Sequence, residues 1–256
     1  MAEIVTAAVL LIGDELLSGR TRDINLQQIA TYLAPLGIRV GEARTVSDDP
    51  GHIVAALNDL RARFAYVFTT GGIGPTHDDR TADAVAAAFG VPIREREDAL
   101  AIIAARYRET GVELTPARRR MARIPEGASL IANPASGAPG FQLGNVFVMA
   151  GVPSIMRAML EDVGHRLEGG AVVHARTVRG VGLREGEIAE GLSRLAAGSP
   201  DLDFGSYPWF SSQGYGAHLV VRGTDPARLE VAVRDLEALV RAQGAVPETD
   251  PEETVT

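Results

Sequence analysis

Cysteine and lysine are both missing from this 256-residue chain, and all 25 of its basic residues are arginine. Without thiols there is no disulfide, no thiolate nucleophile and no thiolate zinc site. Without lysine there is no Schiff-base amine, no lysine general base and no phosphate-binding lysine of the Walker type. No apolar run approaches the roughly 18 residues of a membrane span. No basic-plus-apolar leader opens the chain, because Glu3 interrupts the start and the apolar run 7–12 is short. A net charge of −8 provides no excess of cations to meet nucleic acid. These absences lead to an expectation of a cytoplasmic protein acting on a small molecule, with neither nucleic acid nor membrane as partner.

What the chain does have is one informative string: Thr69-Thr70-Gly71-Gly72-Ile73-Gly74-Pro75-Thr76-His77-Asp78-Asp79-Arg80-Thr81. An apolar run precedes it and an alanine-rich helical segment follows, so the order is strand, glycine loop, helix. Three glycines in four positions let the backbone approach a ligand closely. Free N–H groups at the start of the helix favour an anion such as phosphate. Asp78 and Asp79 then fall in its first turn, where carboxylates either cap the helix or hold a divalent cation against a phosphate.

The surrounding pattern alternates. Residues 4–12 and 38–46 read as strands and 24–36 and 53–60 as helices, with 65–70 the strand feeding the glycine loop. This predicts an α/β fold with a doubly wound, mostly parallel sheet. The acidic or glycine-rich turns at 13–15, 48–49 and 71–79 each follow a strand and are expected at one sheet edge. Residues 98–109 and 154–167 read as helices, 116–123 as a basic helical turn and 146–150 as a strand. Past Gly169-Gly170 the composition shifts to a β-α-β-β-α pattern: strands at 172–181, 203–207 and 217–222, helices at 185–196 and 226–242, and a turn at Gly214 and Gly216. The expected division is an α/β domain over 1–168, a small α+β domain over 169–246, and a flexible acidic tail over 247–256.

The glycine string resembles the signature of the molybdopterin-binding (MoaB/MogA/gephyrin-like) domain superfamily. Three more motifs carry the resemblance: Gly13-Asp14-Glu15-Leu16-Leu17-Ser18-Gly19 followed by Asn25; Thr45-Val46-Ser47-Asp48-Asp49; and Asn133 with Ser136-Gly137-Ala138-Pro139-Gly140. The resemblance covers about residues 3–167. The chain resembles most the branch at the N-terminus of CinA and of eukaryotic FAD synthase, and a stand-alone form is expected, without the C-terminal deamidase domain of CinA or a second FAD-synthesising domain. One departure stands out: Ala150 and Ile155 replace the proline and glutamate of the CinA-type Pro-Gly-x-Pro-x-Glu, which removes any role for that glutamate.

The resemblance implies a three-layer molybdopterin-binding fold, with Asp48 and Asp79 at the two aspartate positions used for metal-dependent phosphoanhydride chemistry. It marks Gly71, Gly72, Gly74 and Thr76 as the phosphate cradle, with Pro75, Asp78 and Thr81 of the same loop also substrate-binding. Gly13, Asp14, Ser18 and Asn25, and Ser136, Gly137, Ala138 and Gly140, complete the substrate-binding set. The implied activity is divalent-metal-dependent (Mg, Mn or Co) hydrolysis of a nucleotide diphosphate, FAD or ADP-ribose, releasing AMP. Molybdopterin binding or adenylyl transfer is the first alternative, and a non-catalytic nucleotide or pterin sensor the second. Relatives form dimers or trimers, so a homo-oligomer is expected. Several residues keep two readings. Asp48 suits a metal position or a helix cap before Pro50, Asp14 a site role or a cap, and Asn25 a ligand donor or a cap. His77 suits an exposed loop or a metal contact, and Arg118-Arg119-Arg120 a solvated face or a grip on the nucleotide.

Overall fold

The computed structural model describes residues 4–212 and 214–249, and the backbone of 253–254. Strand β1 (Val5–Ile12) is buried along most of its length. Ala8, Leu10 and Ile12 face one hydrophobic core, whereas Ala7, Val9 and Leu11 face another. A strand enclosed on both faces loses its polar alternation, which is why this segment reads as a continuous apolar run. It is followed by a single-turn helix α1 (Asp14–Leu17), α2 (Asn25–Leu33), β2 (Ile38–Val46), α3 (Pro50–Arg63), β3 (Tyr66–Thr70) and α4 (Thr81–Phe89). Next come β4 (Ile93–Glu95), α5 (Glu97–Thr110), α6 (Pro116–Arg119), β5 (Arg123–Pro125), β6 (Ser129–Ile131), β7 (Gly140–Leu143), β8 (Val146–Met149) and α7 (Pro153–Val163).

Six strands form one sheet in the order β2-β1-β3-β8-β7-β6. β1 runs parallel to β2 and β3, and β3 parallel to β8. β7 lies antiparallel to β8 and to β6. Helices α3, α4 and α5 cover one face through Leu57, Leu60, Val85 and Ile103. Helices α2 and α7 cover the other through Ile29, Leu33, Met159 and Leu160. The result is a three-layer, doubly wound α/β domain, as expected. β1 connects outward to β2 and β2 connects back across to β3, so the order reverses between β1 and β3. Ligand crevices form outside the carboxyl ends of strands at such a switch point. The loops that leave β1 and β3 there are the Gly13 turn and the glycine loop.

The chain divides into two compact units, one running through Ile4–Leu33 and Ile38–Gly170, the other grouping Ala34–Gly37 with the residues after Gly170. The second unit contains β9 (His174–Val181), α8 (Glu185–Gly198), β10 (Asp203–Ser211), β11 (Gly214–Gly223), α9 (Pro226–Ala242), β12 (Pro247–Thr249) and β13 (Glu253–Thr254). Its antiparallel sheet, ordered β10-β11-β9-β12, packs Val178, Leu219 and Val221 against Leu229, Leu236 and Val240 of α9. Asp225 starts α9, accepting from the N–H groups of Ala227 and Arg228.

Two expectations about elements change. Gly216 lies inside β11 rather than in the turn, and a Cβ there would collide with the Gly180 carbonyl and the Trp209 ring. The tail expected to be flexible contributes Pro247–Thr249 and Glu253–Thr254 as strands paired with β9; residues 250–252 and 255–256 lie outside the described residues. Strands β4 to β7 have three or four residues each, too short to show a period in sequence.

Candidate functional site

Three loops leaving β1, β2 and β3 meet at a cleft of about 590 Å³, closed on the far side by the segments around residues 133–138 and 150–155. After β1, the N–H of Gly13 bonds to the Val46 carbonyl at 3.1 Å, and the N–H of Asp14 donates to Asp48 Oδ2 at 3.0 Å. The Asp14 N–H thereby tethers the Asp48 carboxylate at the cleft wall. Asp49, and not Asp48, caps α3, accepting from the N–H groups of Gly51 at 2.8 Å and His52 at 3.2 Å. The capping alternative for Asp48 is thus taken by its neighbour. Burial pushes the Asp48 carboxyl above its ordinary pKa. The nearby carboxylates of Asp14, Glu15 and Asp78 push the same way, and the hydrogen bond from the Asp14 N–H opposes them.

The glycine loop is shaped by close approaches. Gly71 and Gly72 have φ of 103° and 67°. A Cβ on Gly71 would strike the Ile12 carbonyl oxygen, and one on Gly72 would strike Thr81 Oγ1. Thr81 is fully buried; its hydroxyl donates to the Gly71 carbonyl at 2.9 Å and its N–H to the Gly72 carbonyl at 3.0 Å. It therefore locks the loop from beneath and does not line the cleft. Asp78 and Asp79 are not caps: α4 begins at Thr81, and its cap position is Arg80, which makes no side-chain cap bond. Asp79 Oδ2 instead accepts the N–H of Thr76 at 2.8 Å and also its hydroxyl. The anion-binding groups are accordingly loop amides rather than helix amides. The N–H groups of Gly72, Ile73 and Gly74 take no protein partner among the described residues, and all three residues line the cleft. Successive unpaired backbone N–H groups in such a loop form an anion-binding concavity.

The structure sorts the expected site residues into two groups. Gly13, Asp48, Gly71, Gly72, Gly74 and Pro75 line the cleft, as do Asp78, Asp79, Ser136 and Ala138. Asp14, Ser18, Asn25, Thr76, Thr81, Gly137 and Gly140 do not. Ser18 is exposed and donates to the Glu15 carbonyl at 3.3 Å. Asn25 neither meets the cleft nor caps α2, which Asp23 caps by accepting from the N–H groups of Asn25 and Leu26, each at 3.1 Å. The buried Asn25 Nδ2 instead donates to the Gly151 carbonyl at 2.7 Å, holding the β8–α7 turn. The Gly137 N–H is engaged by the Asn133 carbonyl at 2.9 Å, and Gly140 begins β7. His77 is an exposed loop side chain, 3.9 Å from Asp78.

Glu15 rather than Asp14 turns toward the cleft, and Tyr107 and Met121 complete its wall. Tyr107 carries the Arg118 guanidinium over its ring at 5.1 Å. Nothing in the sequence marked Tyr107 or Met121, because they enter from the irregular middle of the chain. Asn133 was legible as part of a motif. It lines the cleft and ties its loop by donating to Ser136 Oγ at 2.6 Å and the Ala138 carbonyl at 2.7 Å. Four carboxylates line the cleft, those of Glu15, Asp48, Asp78 and Asp79, and no basic side chain does. Among the described residues, no three His, Asp or Glu side chains converge into a ready-made metal cage.

Residues 8–169 match the family described as "Probable molybdopterin binding domain". The chain belongs to that family. Residues 173–249 of this molybdopterin-binding-domain protein match a second family, "FAD synthase, middle domain". Among its relatives, a CinA-like protein of Gloeobacter violaceus is 34% identical over 247 residues, covering 92% of this chain and 57% of that protein. A CinA-like protein of Citrifermentans bemidjiense is 41% identical over 203 residues, covering 75% of this chain and 49% of that one. The chain thus spans about half the length of these curated relatives. The crystal structure of the Thermoplasma acidophilum protein CinA, described as of unknown function, superposes with a TM-score of 0.58 at 36% identity, covering 63% of this chain and 96% of that one. No helix among the described residues is long and apolar enough to cross a membrane.

Proposed function

We propose that the cleft binds a nucleotide and hydrolyses its diphosphate linkage, with FAD or ADP-ribose as substrate and AMP as product. The observation that carries this reading is the row of N–H groups on Gly72, Ile73 and Gly74 that take no protein partner among the described residues, set in the same cleft as the tethered carboxyl of Asp48. The amides bind anionic phosphate oxygens through preorganised dipoles. Asp48 takes the proton of the attacking water as its oxygen bonds to phosphorus, and the bridging P–O bond breaks to release AMP.

The carboxylate donors fit a hard divalent cation such as Mg²⁺, Mn²⁺ or Co²⁺, which takes one or two carboxylates and completes its shell from substrate phosphate and water. Asp48 and Asp79 would hold it; the Thr76 bonds to Asp79 both fall on Oδ2, leaving Oδ1 for a ligand. When bound, the cation supplies neutralisation of the charge on the leaving phosphate. The match of residues 173–249 to the FAD synthase middle domain supports a flavin or adenine nucleotide as ligand. The description of the first family favours a second reading, molybdopterin binding or adenylyl transfer at the same amides; a pure nucleotide or pterin sensor is the non-catalytic form of either. In all of them the protein acts in the cytoplasm as a dimer or trimer.

The test is AMP release from FAD and ADP-ribose by the purified protein with EDTA, Mg²⁺, Mn²⁺ or Co²⁺. AMP appearing only with metal is the expected result. Nucleotide binding without AMP under every metal would transfer the assignment to the sensor or pterin readings.

A further inference from the structure

The cleft presents a charge problem. A diphosphate is strongly anionic, yet the side chains lining the 590 Å³ cavity include four carboxylates and no cation. A smaller crevice shares Gly72, Ile73, Gly74, Asp79 and Met121 with the cleft and adds Arg120 and Arg123. Those two arginines also line a third, outer cavity with Arg119 and Glu95. The crevice therefore shares lining residues with the acidic cleft on one side and with the basic outer cavity on the other.

The arginines of the basic end are not equivalent. Arg119 is held by Glu95 through paired bonds, one of them at 3.0 Å. Arg123 forms a two-point pair with Asp83 at 2.6 and 2.9 Å. Arg118, outside these cavities, lies over Tyr107 and donates to the Glu113 carbonyl. Of the three cavity arginines, Arg120 alone has a side chain that makes no hydrogen bond or ion pair among the described residues; its hydrogen bonds are those of its backbone. A guanidinium free of carboxylate partners beside unpaired amides retains its full donor set for a phosphate, which it grips at two points.

We propose that Arg120 is the phosphate-gripping side chain of this site, binding the phosphate of a nucleotide whose other anionic oxygens rest on the amides of Gly72, Ile73 and Gly74. This rests on the nucleotide reading of the cleft and adds to it the residue that discriminates phosphorylated from unphosphorylated nucleosides. Arg118 and Arg119 are structural by comparison, so the Arg-Arg-Arg run divides into two fixed arginines and one available to ligand.

The experiment is calorimetric titration of the full chain in EDTA with AMP and with adenosine, which reads binding apart from metal and turnover. Wild type is expected to bind AMP at least about tenfold more tightly than adenosine, since a bond to a charged group is worth roughly a factor of ten or more. Arg120→Gln is expected to lose most of that preference, keeping only what the loop amides supply, while holding adenosine as before; Arg120→Lys should recover part of it and Arg119→Gln should retain it. Thermal unfolding of Arg120→Gln should match wild type, because the side chain is exposed and unpartnered. AMP bound equally by wild type and Arg120→Gln would overturn the assignment of Arg120 and leave the nucleotide reading standing. Wild type that binds neither AMP nor adenosine would overturn both.

Discussion

The backbone N–H of Asp14 donates to Asp48 Oδ2 at 3.0 Å, joining two strand-end turns that are 34 residues apart in sequence. This bond holds a half-buried carboxyl against the repulsion of Glu15 and Asp78. The folded-state pKa of Asp48 is raised above its unfolded value, so the native state binds more protons between the two. Stability therefore falls as pH rises from the unfolded value through the folded one, and stays lower above it. Asp48→Asn should melt higher than wild type near pH 7, and the gap should close toward about pH 4. Thermal unfolding across that range checks the sign. The same variant should lower kcat for AMP release by roughly 10²–10⁴, the usual worth of a positioned base.

Gly72 and Thr81 are locked together. Gly72→Ala places a Cβ on Thr81 Oγ1 at a φ of 67°, and should cost about 1–3 kcal/mol. Thr81→Val keeps the volume but leaves the Gly71 carbonyl without its buried donor, at about 1–3 kcal/mol. Urea unfolding of the two single variants and the double should show non-additivity, because the two residues share one contact.

Asp79 and its brace can be separated. Asp79→Ala should abolish metal-dependent AMP release in a folded protein, with about 1 kcal/mol of stability lost with its local bonds. Thr76→Val removes the hydroxyl that Asp79 accepts and keeps the carboxylate, so metal dependence should persist. Full turnover by folded Asp79→Ala would remove this residue from the mechanism.

Trp209 is the chain's only tryptophan and reports on the second unit. Gly216 packs beneath its ring, opposite it in the β10–β11 register. Gly216→Ala should force ring and strand apart, shift the indole emission and move its urea midpoint down, by about 1–3 kcal/mol for an overpacked site. An unshifted midpoint with unchanged emission would show that the strand accommodates the methyl.

Much of the first unit is legible in sequence because its signals are local. Apolar runs at residues 4–12 and 65–70 mark strands, and each glycine or acidic turn that follows one lies at the carboxyl edge of a parallel sheet by topology alone. Asp48, Gly71, Gly72, Gly74, Asp78 and Asp79 were found in this way and do meet at the cleft. Three of the residues that stand outside the cleft lining share a different property. Asn25, Thr81 and Gly137 carry the motif yet serve the loops from behind, since a residue that shapes a loop and one that lines it share the same stretch of sequence.

Sequence by itself determined the doubly wound α/β class, the glycine loop at its switch point and the acidic turns around it, because periodicity, turn chemistry and right-handed crossover rules act over short stretches of chain. Tertiary structure alone decided which of two adjacent aspartates is a cap and which faces the cleft. It also decided that Glu15 enters while Asp14 turns away, and that Arg120 stays free while Arg119 and Arg123 are bound to Glu95 and Asp83. The tether of Asp48 by Asp14 and the pairing of Arg119 with Glu95 and of Arg123 with Asp83 join residues 34, 24 and 40 positions apart, and such a partner leaves no mark in the local pattern of either side.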